Sequence, residues 1–173
     1  MFLNSRIPYE SYRLVKREAY FVDKTSLINE LFPFLEVEKR FICITRPRRF
    51  GKSVMANMVG AFFGKAGDAC PLFDTLNISL SEMYRTHLNQ HCVVYIDFSR
   101  MPQDCSAYAA YIGRISDGLK RDLEGEYPDI DFGFGKDLWD MFQTVFDKTG
   151  QNFLFVMDEW DAIFHKDFIS EKD

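Results

Sequence analysis

The stretch that most constrains this chain runs from Phe41 to Ser53. Phe41-Ile42-Cys43-Ile44-Thr45 is a short apolar run of the kind that forms a buried parallel strand. Arg46-Pro47-Arg48-Arg49-Phe50 then carries the chain round a loop, and Gly51-Lys52-Ser53 opens a helical pattern. A strand that turns tightly into a helix aims backbone N–H groups at one point, on the positive end of the helix dipole, and such a point attracts anions. Lys52 adds a cation able to reach a terminal phosphate, and Ser53 a hydroxyl able to hold Mg²⁺. The usual phosphate-loop pattern has a glycine five residues before Gly51, where this chain has Arg46. Two readings of the stretch therefore stand: a phosphate loop, or an ordinary strand–turn–helix in which Lys52 and Ser53 only start a helix.

Charge does not decide between them. The formal net charge is −5, which argues against a dedicated nucleic-acid coat, so direct nucleic-acid binding is not expected. The cluster Arg46, Arg48, Arg49 and Lys52 acts locally, where a unit charge pair at about 4 Å is worth about 4 kcal/mol at an effective dielectric near 20. Acidic charge beyond a Debye length of about 8 Å is mostly screened, so the loop still favours phosphate.

At 173 residues, 47% of them apolar, the chain is expected to form one domain or a large part of one, burying roughly 70% of its unfolded surface. The 18 Phe point to bulky packing and to a face for a partner or another domain. Cys43, Cys70, Cys92 and Cys105 show no regular pairing, and Met1–Arg6 has no cleavable apolar core. Free thiols and a cytoplasmic location are therefore expected. No apolar run approaches the roughly 20 residues of a membrane helix, so no membrane partner is expected.

In chain order, Met1–Glu18 reads as a solvated lead-in with a short helix around Ser11–Arg17. Tyr20-Phe21-Val22 reads as extended. Asp23 or Thr25 then caps a helix bearing Leu27, Ile28, Leu31 and Phe32, broken by Pro33. Val54, Met55, Met58, Val59, Phe62 and Phe63 form one face of a helix ended by Gly64 and Gly67. Leu80–Gln90 reads as a helix, with His87 and His91 as surface histidines. Cys92–Phe98 is a second buried strand ending near Asp97, a residue that either faces a ligand crevice or caps the next helix. Ser106–Glu124 is an amphipathic helix, and Leu138, Met141, Phe142, Val145 and Phe146 mark another, ended by Gly150.

Phe153-Leu154-Phe155-Val156-Met157 reads as a third buried strand and runs into Asp158-Glu159. Apolar strands separated by helices predict an α/β fold with a parallel sheet flanked by helices. In a phosphate-binding α/β domain, a carboxylate at a strand tip steadies Mg²⁺, and one beside it polarises the attacking water. Lys52, Ser53, Asp158 and Glu159 together outline a nucleoside triphosphatase centre. The competing view is that Asp158 and Glu159 only cap a following helix.

Taken together, Tyr20-Phe21-Val22-Asp23-Lys24-Thr25, Thr45–Ser53, Tyr95-Ile96-Asp97-Phe98-Ser99 and Met157-Asp158-Glu159-Trp160-Asp161 resemble the predicted AAA-ATPase-like family of bacterial proteins. Members of that family read YVDKT, RPRRFGKS, DFS and DEYD in this order. The Arg46 departure is thus a trait of the family, whereas Trp160 stands where Tyr is common and Ala162-Ile163 where Lys-Pro is common.

The resemblance implies a P-loop ATPase of the additional-strand class, in which the loop strand and the Asp158-Glu159 strand are not neighbours. It implies ATP and Mg²⁺ as cofactors. Arg46, Pro47, Arg48, Arg49, Phe50, Gly51, Lys52, Ser53 and Val54 would surround the phosphates, and Phe21 and Val22 would flank the adenine. Ser53 and Asp158 would hold Mg²⁺, and Lys52 and Glu159 would be catalytic. Family members are longer, and many carry a nuclease-like domain of the restriction-enzyme type. The chain is accordingly expected to be the N-terminal part of such a domain, with residues 1–19 as lead-in, 20–173 as nucleotide-binding core, and later strands of the sheet beyond it. Hydrolysis driving or gating an attached effector is the expected activity. The alternatives are a nucleotide-gated switch with little hydrolysis and a small-molecule kinase.

Overall fold

The computed structural model describes residues 2–35, 37–38, 40–45, 47, 50–100, 105, 107–133 and 137–165. The chain divides into two compact units, Ser5–Val93 and Met1–Asn4 with Val94–Asp173.

The Ser5–Val93 unit is helical. Pro8 sits in the first turn of α1 (Ile7–Val15), where its missing N–H costs nothing. This helix is not a solvated lead-in. It starts four residues earlier than the spacing predicts, packs on α3 (Lys52–Phe63), and buries Pro8 and Tyr12. The Tyr12 ring stacks on Phe73 at 5.2 Å, and Phe62 meets Phe63 and Phe73 edge-on at 5.0 and 5.3 Å. Much of the aromatic content is spent on this core.

Short helix α2 (Ser26–Leu31) gives way to a 3₁₀ turn at Phe32–Phe34, as Pro33 requires. Beyond α3 come α4 (Cys70–Phe73), a 3₁₀ turn at Asn77–Leu80 and α5 (Tyr84–His87). The expected helix over Leu80–Gln90 is thus cut to one turn. Only Tyr84, His87 and Leu88 find the core, while Leu80 is exposed. Leu88 turns extended, and Asn89 adopts a left-handed conformation at φ 57°. The Asn89 side chain accepts from the Ala69 N–H at 2.8 Å and donates to the carbonyls of Ala61 and Gly64, tying the end of α3 to the approach to α4. Of the two expected surface histidines, His91 is half-buried and His87 is drawn inside. His87 is buried, and its Nδ1 lies 2.9 Å from Nε2 of His91. Burial, the neighbouring His87 and Lys65 push the His91 imidazole down to about 4.

The other unit holds the sheet. β1 (Cys92–Asp97) and β2 (Phe153–Asp158) pair in parallel, and the Phe98 N–H donates to the Asp158 carbonyl at 3.0 Å. Phe2 and Leu3 run antiparallel to β1, with the Tyr95 N–H on the Phe2 carbonyl at 2.9 Å. Helix α6 (Tyr108–Glu126) buries Tyr111, Ile115, Gly118, Leu119 and Leu123. Gly118 leaves room for the Phe2 ring, which a β-carbon at this position would meet. Asp122, one turn further along α6, accepts the N–H groups of Phe2 and Leu3. Helix α7 (Leu138–Thr149) is capped by the Asp137 carboxylate on the Asp140 N–H at 3.1 Å and ends at left-handed Gly150. Its Phe142 packs edge-on against Phe153 and Phe155 of β2.

Two strand expectations need correcting. Phe41–Thr45 forms no strand: the segment is irregular, with Phe41 94% exposed. The described sheet contains only β1 and β2, so this run has no hydrogen-bonded neighbour in it. β2 is a strand but not a fully buried one, since Phe155 and Met157 are about half exposed where β1 is buried along nearly its whole length.

Candidate functional site

In the Ser5–Val93 unit, Gly51 is the residue on which the loop turns. It caps α3 at φ 81° and ψ 28°, a left-handed conformation that a side chain resists. The Met55 N–H closes the first helical bond on the Gly51 carbonyl at 3.0 Å. The N–H groups of Lys52, Ser53 and Val54 therefore precede the first intrahelical bond, and the N-cap residue, a glycine, has no side chain to cap the helix start. This arrangement gives the loop an anion-attracting end. Before it, the Phe50 N–H reaches the Pro47 carbonyl at 3.4 Å, and the Phe50 ring is exposed. Arg46, Arg48 and Arg49 lie outside the described residues.

Phe21 and Val22 precede this loop in the same unit. Phe21 leans edge-on towards Tyr12 at 6.2 Å, and Val22 is exposed. The residue after Asp23 is one that the sequence reading passed over. The Lys24 Nζ lies 3.6 Å from where a β-carbon on Gly51 would stand. Its signal was available, since Lys24 sits inside the Tyr20–Thr25 stretch and is a cation preceding a phosphate-loop pattern.

In the other unit, Asp158 ends β2 and is buried. Its Oδ1 accepts the Glu159 N–H at 3.0 Å. Among the described residues its Oδ2 has no hydrogen-bond donor, which leaves a carboxylate oxygen for a ligand. Glu159 is exposed and adopts a left-handed φ of 49°, unusual for a residue with a side chain. The Ala162 N–H on the Glu159 carbonyl at 2.9 Å holds the turn that follows, which continues as 3₁₀ over Trp160–His165. Asp158 thus closes on its own neighbour rather than capping an α-helix.

Asp97 ends the adjacent strand and serves its own turn. Its Oδ1 accepts from the Ser99 N–H and hydroxyl at 3.0 and 2.6 Å, and its Oδ2 pairs with Arg100 Nε at 2.8 Å. Among the described residues Asp97 caps no helix, since α6 begins at Tyr108, and its carboxylate holds its own turn instead. Burial first, then the charges of Asp158 and Asp97, push the Tyr95 hydroxyl well above its ordinary value, so it stays protonated between the strand ends.

Lys52, Ser53 and Val54 therefore share one helix start, and Asp158 and Glu159 share one strand exit. Among the described residues no helix is long and apolar enough to cross a membrane. Comparison with curated proteins and with solved structures gave no match for this chain. The family model for predicted AAA-ATPases matches residues 7–172, which takes in both the helix start and the strand exit. The chain belongs to the predicted AAA-ATPase family.

Proposed function

We propose that the chain binds ATP with Mg²⁺ and hydrolyses it, as a P-loop NTPase of the additional-strand class. The observation that carries this reading is Gly51. Its left-handed conformation opens α3 with Lys52 and Ser53 in the first turn, and as a glycine it puts no side chain of its own over the helix start. That is the environment a phosphate chain needs: oriented donors, a dipole of the right sign and a lysine beside them. The class assignment rests on the family match, and the parallel pairing of β2 with β1 is consistent with it.

The donor types suit Mg²⁺. Hard oxygen ligands are what that ion prefers, and Ser53 offers a hydroxyl while Asp158 offers an Oδ2 that has no donor among the described residues. When bound, the ion would supply charge neutralisation on the β- and γ-phosphates. Lys52 would neutralise the same oxygens from the helix start. Phe21 and Val22 would offer apolar surface to the base. Glu159 would accept a hydrogen bond from water and take up its proton as the water oxygen attacks the γ-phosphorus and the bond to the bridging oxygen breaks, leaving ADP and phosphate. Arg46, Arg48 and Arg49 add positive charge around the same loop in the sequence.

Nucleotide titration and steady-state turnover test the reading together. Lys52→Ala should remove most ATP affinity. Glu159→Gln should keep ATP affinity within about threefold and slow hydrolysis by roughly 10²–10⁴-fold. An Lys52→Ala variant that binds ATP like the parent chain would remove the basis of the assignment.

A further inference from the structure

The residue best placed to add to this site is Lys24, and the case for it lies in how it is held. Asp23, just before it, is fully engaged by uncharged donors. Its Oδ1 accepts from the Thr25 N–H at 2.8 Å and the Thr25 hydroxyl at 2.7 Å, and its Oδ2 accepts from the Asn77 N–H at 2.7 Å. Burial opposes ionisation of Asp23, but the Asn77 and Thr25 hydrogen bonds and the Lys16 charge outweigh it and hold the carboxyl below its ordinary value. Thr25, just after Lys24, is completely buried, and its hydroxyl oxygen accepts the Ile78 N–H at 3.1 Å. Both neighbours of Lys24 are thus anchored to the turn at Asn77–Ile78, in a segment that has no helix or strand of its own.

Lys24 itself is exposed, and among the described residues no carboxylate pairs with it. Its Nζ comes to 3.6 Å from the place where a Gly51 β-carbon would be. An ordinary surface lysine extends its stem towards water or towards an acid. This one instead sets its charge beside the left-handed residue that opens α3, with no carboxylate in an ion pair with it among the described residues.

We propose that Lys24 is a second phosphate-binding cation, resting on the nucleotide reading above, and that it makes the site select polyphosphates over monophosphates. Lys52 projects from the first turn of α3, and Lys24 approaches Gly51 from the preceding segment. Two cations reached from different parts of the chain fit a ligand with several negative oxygens, such as the β- and γ-phosphates of a nucleoside triphosphate. A polyphosphate offers each cation a phosphate group of its own, which a monophosphate does not. The Asp23–Thr25–Asn77 network positions the segment that carries the lysine, and among the described residues Asp23 spends its hydrogen bonds on Thr25 and Asn77 rather than on Lys24.

The test is a ladder of affinities for ATP, ADP, AMP and adenosine, measured on the full chain by a titration that does not depend on turnover. Lys24→Gln keeps the length of the stem and removes the charge. It should weaken ATP on the order of tenfold or more, weaken ADP less, and leave AMP and adenosine within about threefold. The dependence of ATP affinity on salt should become shallower, which lost packing would not cause. Lys24→Arg should restore most of the ladder, and both variants should melt with the parent chain because the side chain is exposed. A Lys24→Gln ladder parallel to the parent's, in a chain whose ATP binding is lost on Lys52→Ala, overturns the role of Lys24 and leaves the nucleotide reading intact. A parent chain that binds ATP no better than adenosine overturns both.

Discussion

Phe41–Thr45 and Phe153–Met157 are two five-residue apolar runs that precede the two halves of the candidate site, and they end differently. The second becomes β2 because β1 offers it a hydrogen-bonding edge, fixed in register by Phe98 and Asp158. The first stays irregular and exposed. An apolar run supplies propensity, but a strand exists only where another backbone takes up its N–H and C=O groups. The two turns that follow also differ. The loop turns on a glycine at φ 81°, whereas β2 turns on a glutamate at φ 49°. One turn uses the residue that bears the conformation freely, and the other holds a carboxylate in a conformation it would otherwise avoid, as sites that need a fixed side chain do.

The comparison can be broken most sharply with proline. Val156→Pro, in the middle of β2, should cost roughly 3 kcal/mol or more, because it disrupts a paired strand. Ile42→Pro should cost under about 1 kcal/mol. Chemical denaturation of the two variants measures this, and an equal loss would mean that residues 41–45 are paired after all.

The turns give a smaller effect of opposite sign. Gly51→Ala should destabilise by about 1–2 kcal/mol through backbone strain. Crowding adds little, since the nearest atoms to the new carbon, Lys24 Nζ at 3.6 Å and Val54 Cβ at 4.0 Å, are at ordinary contact distance. Glu159→Gly should stabilise by up to about 1 kcal/mol while abolishing turnover. Thermal melts beside turnover assays would show it, and a destabilised Glu159→Gly would mean that the glutamate is not strained.

The smallest effect separates the two units by acid. His91, in the Ser5–Val93 unit, has its pKa lowered from 6.5 to about 4. The unfolded chain therefore takes up a proton there that the folded chain refuses, and stability falls as pH drops from 6.5 towards 4, with a slope below one proton. Asp122, in the other unit, is disfavoured as an anion by burial but held lower by the Phe2 and Leu3 N–H groups. Its contribution is present above its ordinary pKa of 3.8 and is lost only as pH falls through the lower folded value. Amide hydrogen exchange at pH 5 should show protection falling first around His87 and His91, and His91→Phe should flatten that response. Equal loss in both units would place the acid sensitivity elsewhere.

Several elements were legible from local signals alone. Gly150 marks the end of α7, and of the apolar stripe Tyr108, Tyr111, Ile112, Ile115, Leu119 and Leu123 on α6, Tyr111, Ile115, Leu119 and Leu123 are buried while Tyr108 and Ile112 are exposed. Gly51-Lys52-Ser53 marks the start of α3 and Asp158 the end of β2. What misled the reading was burial that depends on partners far away in the chain. Tyr12 looked like part of a polar lead-in and is core, because Phe73 covers it. His87 looked exposed and is buried against Phe32 and Phe63. Leu80–Gln90 carried a helical pattern that Asn89 cut short by turning to bind Ala61, Gly64 and Ala69.

The sequence by itself determined which residues carry the candidate chemistry, Lys52 and Ser53 at a helix start and Asp158 and Glu159 at a strand exit. Those features rest on short-range chemistry: a glycine that permits a turn, a helix that begins, a strand that ends in acid. Only the tertiary structure decided which apolar run would be a strand, and which lysine before the loop would stand beside Gly51. Both depend on contacts between residues distant in sequence, the β1 edge in one case and the Asp23–Asn77 anchor in the other, and local pattern carries no information about either.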